Sequence, residues 1–408
     1  MNCRGCHAPL RLPLIDLGTS PPSNAFLLAE QLRHAEQWVP LKVQVCESCW
    51  LVQTEDYTRA DTLFDADYAY FSSFSSTWLA HARQYVGDMV ERFALNAESR
   101  VVEIAANDGY LLQYVAERGI KCLGVEPTRS TAQAARAKGL EIRELFFGRQ
   151  TALDLIKDGW AADLMAANNV LAHVPDINDF LSGFATLLQP HGVATFEFPH
   201  LLALMAGAQF DTLYHEHYSY LSLDAVNTLC ERNGLAIFDV QTLPTHGGSL
   251  RVFVSRADGI ERPREPAVQQ MLDIELAAGI RTAGFYASLA PAAEQIKHQL
   301  LRFLLQAKAE GKRVVGYGAA AKGNTLLNYA GVKPDLLEWV ADASPHKQGK
   351  FLPGSRIPVV APDRLVADRP DYVLVLPWNL LDEVCQQYAD IREWGGRFVI
   401  AVPELKVL

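Results

Sequence analysis

The sequence predicts an α/β protein with a small cysteine-bearing N-terminal module, a central doubly wound domain and a second doubly wound domain at the C-terminus. Three observations predict it. Two Cys-x-x-Cys pairs, Cys3/Cys6 and Cys46/Cys49, bracket a stretch with its own strands. From residue 99, short apolar runs alternate with helical patterns, as in a parallel sheet covered on both faces. The alternation begins again at residue 313, after a helical stretch. The expected divisions are 1–75, 76–260 and 261–408. A chain of 408 residues, 49% hydrophobic and 21% charged, has the bulk for two or three cores.

In the N-terminal module, four cysteines at doubled spacing form the ligand set of a tetrahedral zinc ion. All-thiolate ligation leaves no open position, so the zinc is expected to be structural. Such a site contributes about 10–16 kcal/mol to folding of its module. The alternatives are four unrelated thiols or a redox pair, and neither pair sits at a strand-to-helix junction. Asp16, Glu30, Glu36, Glu47 and Glu55 suit this region poorly to phosphate backbones, and the net charge of −10 argues against nucleic acid. No apolar run is long enough to cross a bilayer, so no membrane partner is expected. The opening Met1-Asn2-Cys3 shows no basic-then-apolar leader, and seven cysteines make no disulfide scaffold. A cytoplasmic monomer is the expectation. The aromatic and hydroxyl-rich run 68–78, beginning with Tyr68, reads as either a packing strap or a ligand lid.

In the central domain, 100–105 reads as a buried strand, followed by Asn107-Asp108-Gly109 and a helix from 110. A second strand, 122–125, ends in Glu126-Pro127. Later strands are expected at 163–167 and 192–197, with helices around 130–138, 152–158 and 177–188. Strands 235–241 and 250–255 read as an antiparallel addition at the sheet edge. Ligands belong at the carboxyl ends of such strands, where a carboxylate like Glu126 can accept from both ribose hydroxyls. The first turn lacks the Gly-x-Gly-x-x-Gly that lets a pyrophosphate approach, which argues against a dinucleotide. His173 follows the fourth strand, either on the ligand face or as a satisfied core histidine.

The stretch 211–220 holds two histidines, a carboxylate and three phenols. Ser222 and Asp224 follow as helix-cap chemistry. Tyrosine, histidine and glutamate together can hold and relay a proton near neutral pH. A hydrogen-bonded polar plug, or a metal site on His215 and His217, are the alternatives.

The chain then reads as helical to 312, with strands expected at 313–317, 337–341, 372–376 and 398–402. The turn 318–325 opens a helix whose exposed N–H groups, with Lys322 nearby, make a natural anion site. The loop 342–350 adds Lys347 and Lys350, for which a solvated surface is the alternative. Two similar folds facing each other imply a cleft between them.

Taken together these stretches resemble the dTDP-4-keto-deoxysugar C-3′-methyltransferases, nucleotide-sugar C-methyltransferases that use S-adenosylmethionine. The resemblance covers nearly the whole chain. It includes the four cysteines, the 68–78 run, Val102-Glu-Ile-Ala-Ala-Asn-Asp-Gly109, Tyr214-His-Glu-His217, His246-Gly-Gly-Ser-Leu-Arg251, Gly316-Tyr-Gly-Ala-Ala-Ala-Lys-Gly-Asn324 and Gln348-Gly-Lys-Phe-Leu-Pro-Gly354. It implies a Rossmann-like S-adenosylmethionine-binding domain in the centre and a Rossmann-like nucleotide-sugar-binding domain at the C-terminus. Glu103, Ala105, Asn107, Gly109, Glu126, Pro127, Asn168 and Asn169 would then hold the cofactor. His217 would be the base for enolate formation, with Tyr214 positioning or on the oxyanion, Glu216 orienting the histidine and His173 lining the sugar pocket. Tyr68, His246, Gly247, Arg251, Lys322, Asn324, Lys347 and Lys350 would contact the nucleotide-sugar. The competing readings are O- or N-methylation of a nucleotide-sugar, a non-catalytic nucleotide-sugar-binding protein, and a dehydrogenase.

Overall fold

The computed structural model describes residues 1–55, 57 and 71–408. Its first sheet begins with β1 (Leu12–Ser20), β2 (Val39–Val45) and β3 (Val52–Thr54), all antiparallel. β2 alternates buried and half-buried residues, the period of a strand with one face in a core.

The central sheet holds β4 (Arg100–Ile104), β5 (Lys121–Val125), β6 (Ile142–Arg143), β7 (Ala162–Asn168) and β8 (Leu188–Pro199). Neighbours run β6-β5-β4-β7-β8, all parallel. Residues 101–104, 164–168 and 192–198 are continuously buried, as parallel strands covered on both faces must be. The chain winds outward from β4 in one direction and from β7 in the other, so the crevice between those strands is the topological switch point. The expected helix from 110 starts two residues later, at Leu112–Ala116, because the chain is still turning. Gly109 permits that turn: its φ is +77°, and a Cβ there would lie 2.3 Å from Leu140.

The next strand, β9 (Ser219–Tyr220), pairs not with the central sheet but with β3 of the first. β10 (Leu235–Leu243) and β11 (Ser249–Arg256) then extend the central sheet antiparallel beyond β8, at the edge the sequence indicates.

Helices Pro266–Ala278 and Leu289–Ala309 lead to the last sheet. It contains β12 (Val314–Tyr317), β13 (Val340–Ala341), β14 (Val359–Val360), β15 (Tyr372–Val375), β16 (Arg397–Ile400) and β17 (Lys406–Val407). The order is β14-β13-β12-β15-β16-β17, parallel except for β17, with a second switch point between β12 and β15. Leu14, Ile15, Leu41 and Val43 of the first sheet share a core with Ile296, Leu300 and Leu326 of the C-terminal part. Cys3, Cys46, Cys49 and Leu51 share the central core instead, with Leu229 and Phe184. The N-terminal module therefore bridges the other two.

The helix Leu223–Arg232 starts as its sequence predicts, with the Ser222 hydroxyl accepting from Ala225 N at 3.0 Å. The next donors are met from outside. The buried Glu275 carboxylate accepts from Leu223 N (2.7 Å), Asp224 N (2.8 Å) and the His200 imidazole (2.6 Å). Asp224 does not cap; its carboxylate pairs with Arg281 at 2.5 and 2.9 Å. Glu275→Ala strands three buried donors, and we expect it to cost about 3 kcal/mol, read as a lowered urea midpoint.

Candidate functional site

The four N-terminal cysteines form the one cluster of metal-ligating side chains among the described residues. Their sulfurs lie within 4.8 Å of one another. Cys3 and Cys49 sulfurs are 3.6 Å apart, and Cys6 and Cys46 sulfurs 3.4 Å. A tetrahedral zinc with thiolates at about 2.3 Å requires sulfur–sulfur spacings of about 3.8 Å, so the donor set fits zinc. A disulfide, at about 2 Å, is excluded by the same distances.

At the central switch point, the carboxyl ends of β4, β5 and β7 bring together Glu103, Glu126, Asn168 and Asn169. Ala105, Asn107 and Asn169 hold left-handed φ of +55°, +49° and +57°, which turn the chain sharply around this crevice. Glu126 accepts from Asn107 N (2.8 Å) and Thr128 N (2.9 Å), leaving further lone pairs on both oxygens. Pro127 follows it in the same turn. One oxygen of Asp108 is buried without a hydrogen-bond partner, and the Glu103 carboxylate and Asn168 amide are buried around the Tyr110 hydroxyl, which cannot satisfy all of their donors and acceptors. Burial pushes Glu103 well above the usual carboxylate range, opposed by the neighbouring Tyr110 hydroxyl. Buried polar atoms left in this state fit a polar ligand such as S-adenosylmethionine, whose hydroxyls and amines would pair them.

The 211–220 loop lies across the ends of both switch points. His217 Nδ1 donates to the Thr212 carbonyl at 3.1 Å, because a carbonyl can only accept. That leaves Nε2 as the basic nitrogen, and it accepts the Tyr214 hydroxyl at 2.7 Å. His173 stands edge-on to His217 with ring centroids 4.5 Å apart, its Nδ1 held by the Glu216 carbonyl at 2.8 Å. Burial lowers His173 to about 4 and holds His217 well below its ordinary value, with His173 adding to the latter shift. Neutral imidazoles at pH 7 are bases, so this arrangement can accept a proton.

The expectation that Glu216 orients His217 is corrected. Its carboxylate faces the N-terminal module and accepts from Asn24 N and Asn24 Nδ2, both at 3.2 Å. His215 also points away, donating to the Val39 and Pro40 carbonyls at 3.2 Å. The two histidines thus have separate partners, and their pairing as a metal site does not occur.

From the central sheet, His246 Nε2 accepts from Asn169 Nδ2 at 3.1 Å, and its ring faces Trp78 at 5.3 Å. Burial lowers its pKa to about 4. Gly247 lies against Trp378, where a Cβ would approach within 2.5 Å. Arg251, expected at the substrate, is buried and committed to Glu197 at 2.7 Å. Glu197 also meets His81 Nε2 (2.9 Å) and the Thr245 hydroxyl (3.1 Å). Sequence reasoning missed this cluster, although a carboxylate inside the apolar run of β8 was its signal.

From the C-terminal part, Lys322 donates to Asn379 at 2.6 Å and lies 4.6 Å over the Trp378 ring. Burial lowers its pKa, opposed by Asp211. Trp378 donates to Asp211 at 2.8 Å, and Thr325 to the Leu213 carbonyl at 2.9 Å, so this switch point grips the loop. Asn324 instead reaches Ser23 O at 2.6 Å. The expected free N–H groups before the helix Ala321–Ala330 are partly taken: Ala319 N donates to Asp342 at 2.7 Å. Lys347 donates to Ala319 O at 2.9 Å, and Lys350 sits three residues on, half-buried. Tyr68 lies outside the described residues.

Comparison with known proteins agrees with this layout. A zinc binding domain family matches residues 3–64, a methyltransferase domain family 78–240, and a C-methyltransferase C-terminal domain family 244–403. The C-methyltransferase NovU of Streptomyces niveus is 36% identical over 407 residues, covering 100% of this chain and 96% of that protein. A ubiquinone biosynthesis O-methyltransferase of Rhodopseudomonas palustris (strain BisA53) is 24% identical over 155 residues, 33% of this chain and 61% of its own. Among solved structures, magnesium protoporphyrin IX methyltransferase (ChlM) from Synechocystis PCC 6803 with bound SAH aligns at a TM-score of 0.35 and 17% identity. It covers 44% of this chain and 83% of that one.

The buried histidines carry a pH signature. Above the ordinary histidine value of 6.5, His246 is neutral whether the chain is folded or not. Between 6.5 and about 4 the unfolded chain takes a proton that the native state refuses, so its contribution lowers stability as pH falls through that window. His246→Gln removes this increment. The urea midpoint of the variant relative to the parent should therefore rise from pH 7 to pH 4.5; a pH-independent difference would contradict the shift.

Proposed function

Because the chain belongs to the C-methyltransferases, S-adenosylmethionine-dependent enzymes with an N-terminal zinc module, we propose that its substrate is a nucleotide-linked 4-keto-deoxysugar, dTDP-linked, methylated at C-3′ beside the ketone. When bound, S-adenosylmethionine supplies an electrophilic methyl group. Carbon becomes nucleophilic only after losing a proton, and a C–H next to a ketone is the one such proton a neutral side chain can remove. The observation that carries the reading is the buried Tyr214–His217 pair, with Nε2 left as the basic nitrogen by the Thr212 carbonyl.

On this reading His217 Nε2 takes the C-3′ proton, and the electron pair moves onto the ketone oxygen as an enolate. Protonated Nε2 then donates to the Tyr214 oxygen. The phenolic hydrogen is freed for the enolate oxygen, where charge develops. His173 and His246 line the sugar pocket, and His173 keeps the imidazole face dry. Glu103, Ala105, Asn107, Gly109, Glu126, Pro127, Asn168 and Asn169 form the cofactor crevice. Lys322, Asn324, Lys347 and Lys350 face the diphosphate. The resemblance to nucleotide-sugar enzymes and the cations gathered at the second switch point support that assignment. Arg251 serves indirectly, by fixing Glu197 and His81 beside the pocket.

The reading is tested by NMR in D₂O with a dTDP-4-keto-dideoxyhexose. Deuterium should enter C-3′ without cofactor, and a methyl group should appear there with it. Methylation of oxygen or nitrogen, with no exchange at carbon, would replace the enolate reading. His217→Asn should lower kcat by about 10²–10⁴-fold with S-adenosylmethionine affinity unchanged. Tyr214→Phe should lower it by about 10²–10³-fold, the worth of one oxyanion hydrogen bond.

A further inference from the structure

We propose that Gln53 and Thr54 are positioning residues for the 211–220 loop, and that the four-thiolate centre sets their place. Loss of the metal would then displace the Tyr214–His217 pair while the central sheet and its cofactor crevice stay folded. For its catalytic consequence this rests on the proton-transfer reading above; its structural content does not.

The connection runs through one three-residue strand. β3 begins three residues after the ligand Cys49. Its middle residue, Gln53, is fully buried and donates from Nε2 to the Cys3 sulfur at 3.2 Å. Its Oε1 accepts from Arg4 N, next to that ligand, at 2.9 Å. A thiolate is the strong acceptor here, and the thiolate is the form a zinc ion holds. The Gln53 amide is thus held between the Cys3 sulfur and the backbone beside that ligand.

The other side of β3 meets the loop. Val52 pairs with Tyr220 and Gln53 with Ser219. Thr54 N donates to Tyr218 O at 3.1 Å, and the Thr54 hydroxyl donates to the His217 carbonyl at 3.2 Å. The Tyr220 hydroxyl in turn accepts from Tyr214 N at 3.2 Å. Both members of the pair are thus held from β3, His217 directly and Tyr214 through Tyr220. Arg4 closes the frame, donating to Thr54 O at 3.0 Å and to Pro175 O at 3.1 Å.

A three-residue strand paired with a two-residue one has little stability of its own. β3 also pairs with β2, and the cysteine cluster ties the turn between those two strands, through Cys46 and Cys49, to Cys3 and Cys6. The central sheet is in a different position: its seven strands are buried between two large cores, and the cysteines adjoin only one of them.

The test uses the full chain, with and without zinc, the metal being stripped by a mercurial and chelator and the thiols then restored. Hydrogen–deuterium exchange by mass spectrometry should accelerate at least about tenfold in peptides covering 52–54 and 211–220. Peptides from β4, β7 and β8 should keep their protection, and S-adenosylhomocysteine should bind within about twofold of its original Kd. With zinc in place, Thr54→Val should speed exchange at 214–220. It should also lower kcat about tenfold with sugar KM unchanged, and Thr54→Ser should restore both. Unchanged exchange at 211–220 on metal loss, or equal loss of protection throughout the chain, overturns the proposal. So does a Thr54→Val protein that matches the parent in both readouts. The exchange measurements contain no sugar, so they stand or fall independently of the substrate assigned above.

Discussion

The structure depends on how the 211–220 loop satisfies its backbone. A buried loop cannot leave its polar groups unpaired, and this one pairs only some of them internally, as in His217 N to Tyr214 O and Tyr214 N to the Tyr220 hydroxyl. All three parts of the chain meet the need. The N-terminal module supplies Thr54 to the His217 carbonyl and Asn24 to the Glu216 carboxylate. The central domain supplies His173 to the Glu216 carbonyl. The C-terminal domain supplies Thr325 to the Leu213 carbonyl and Trp378 to Asp211. The loop therefore exists in this form only where the three parts meet, and so does the basic nitrogen it carries.

Burial is what makes that nitrogen useful. An exposed histidine at neutral pH is partly protonated and already solvated as a cation. Here His217 is buried and His173 and His246 are half-buried, and desolvation lowers the pKa of each. The same burial acts on the acids in the opposite sense, raising Glu103, Glu216 and Asp211, the last to about 6. Pairing decides the exceptions. Glu197 is just as enclosed, yet its pKa is lowered, because His81 and Arg251 together outweigh the desolvation. One fold thus holds carboxylates of both kinds within a few residues of the site.

Much of this was legible in the sequence, for identifiable reasons. Apolar runs separated by turn residues marked both doubly wound sheets, because burial on two faces leaves that pattern wherever a parallel strand occurs. The doubled Cys-x-x-Cys announced the metal site, since four thiols at that spacing have few other uses. Ser222 announced its helix because the cap is a local interaction. What was not legible was tertiary. Nothing local says that Glu216 turns toward Asn24, 192 residues away, while its neighbour His217 turns toward Thr212. Nor does the string ending in Arg251 reveal that the guanidinium belongs to Glu197 on the adjacent strand. Motif strings fix which residues are present; the partners of adjacent side chains on a buried loop are fixed by whichever module lies on each side.

The two switch points differ in charge, and the difference bears on what each can bind. The central crevice is lined by acceptors, with Glu103, Asp108 and Glu126 near the ends of β4 and β5 and an unpartnered Asp108 oxygen among them. The C-terminal crevice carries Lys322 and Lys347, each facing an acid, Asp211 and Asp342. A cationic sulfonium with a ribose diol suits the first, and on the proposed reading a diphosphate suits the second. The paired acids do not defeat that assignment. Burial lowers the pKa of Lys322, and Asp211 opposes that shift. Asp211 is itself pushed up to about 6 and is held by Trp378, so it can yield the ammonium to a stronger anion at modest cost. Asp211 also opens the loop that carries His217, so on the proposed reading the anion crevice and the base share one short segment.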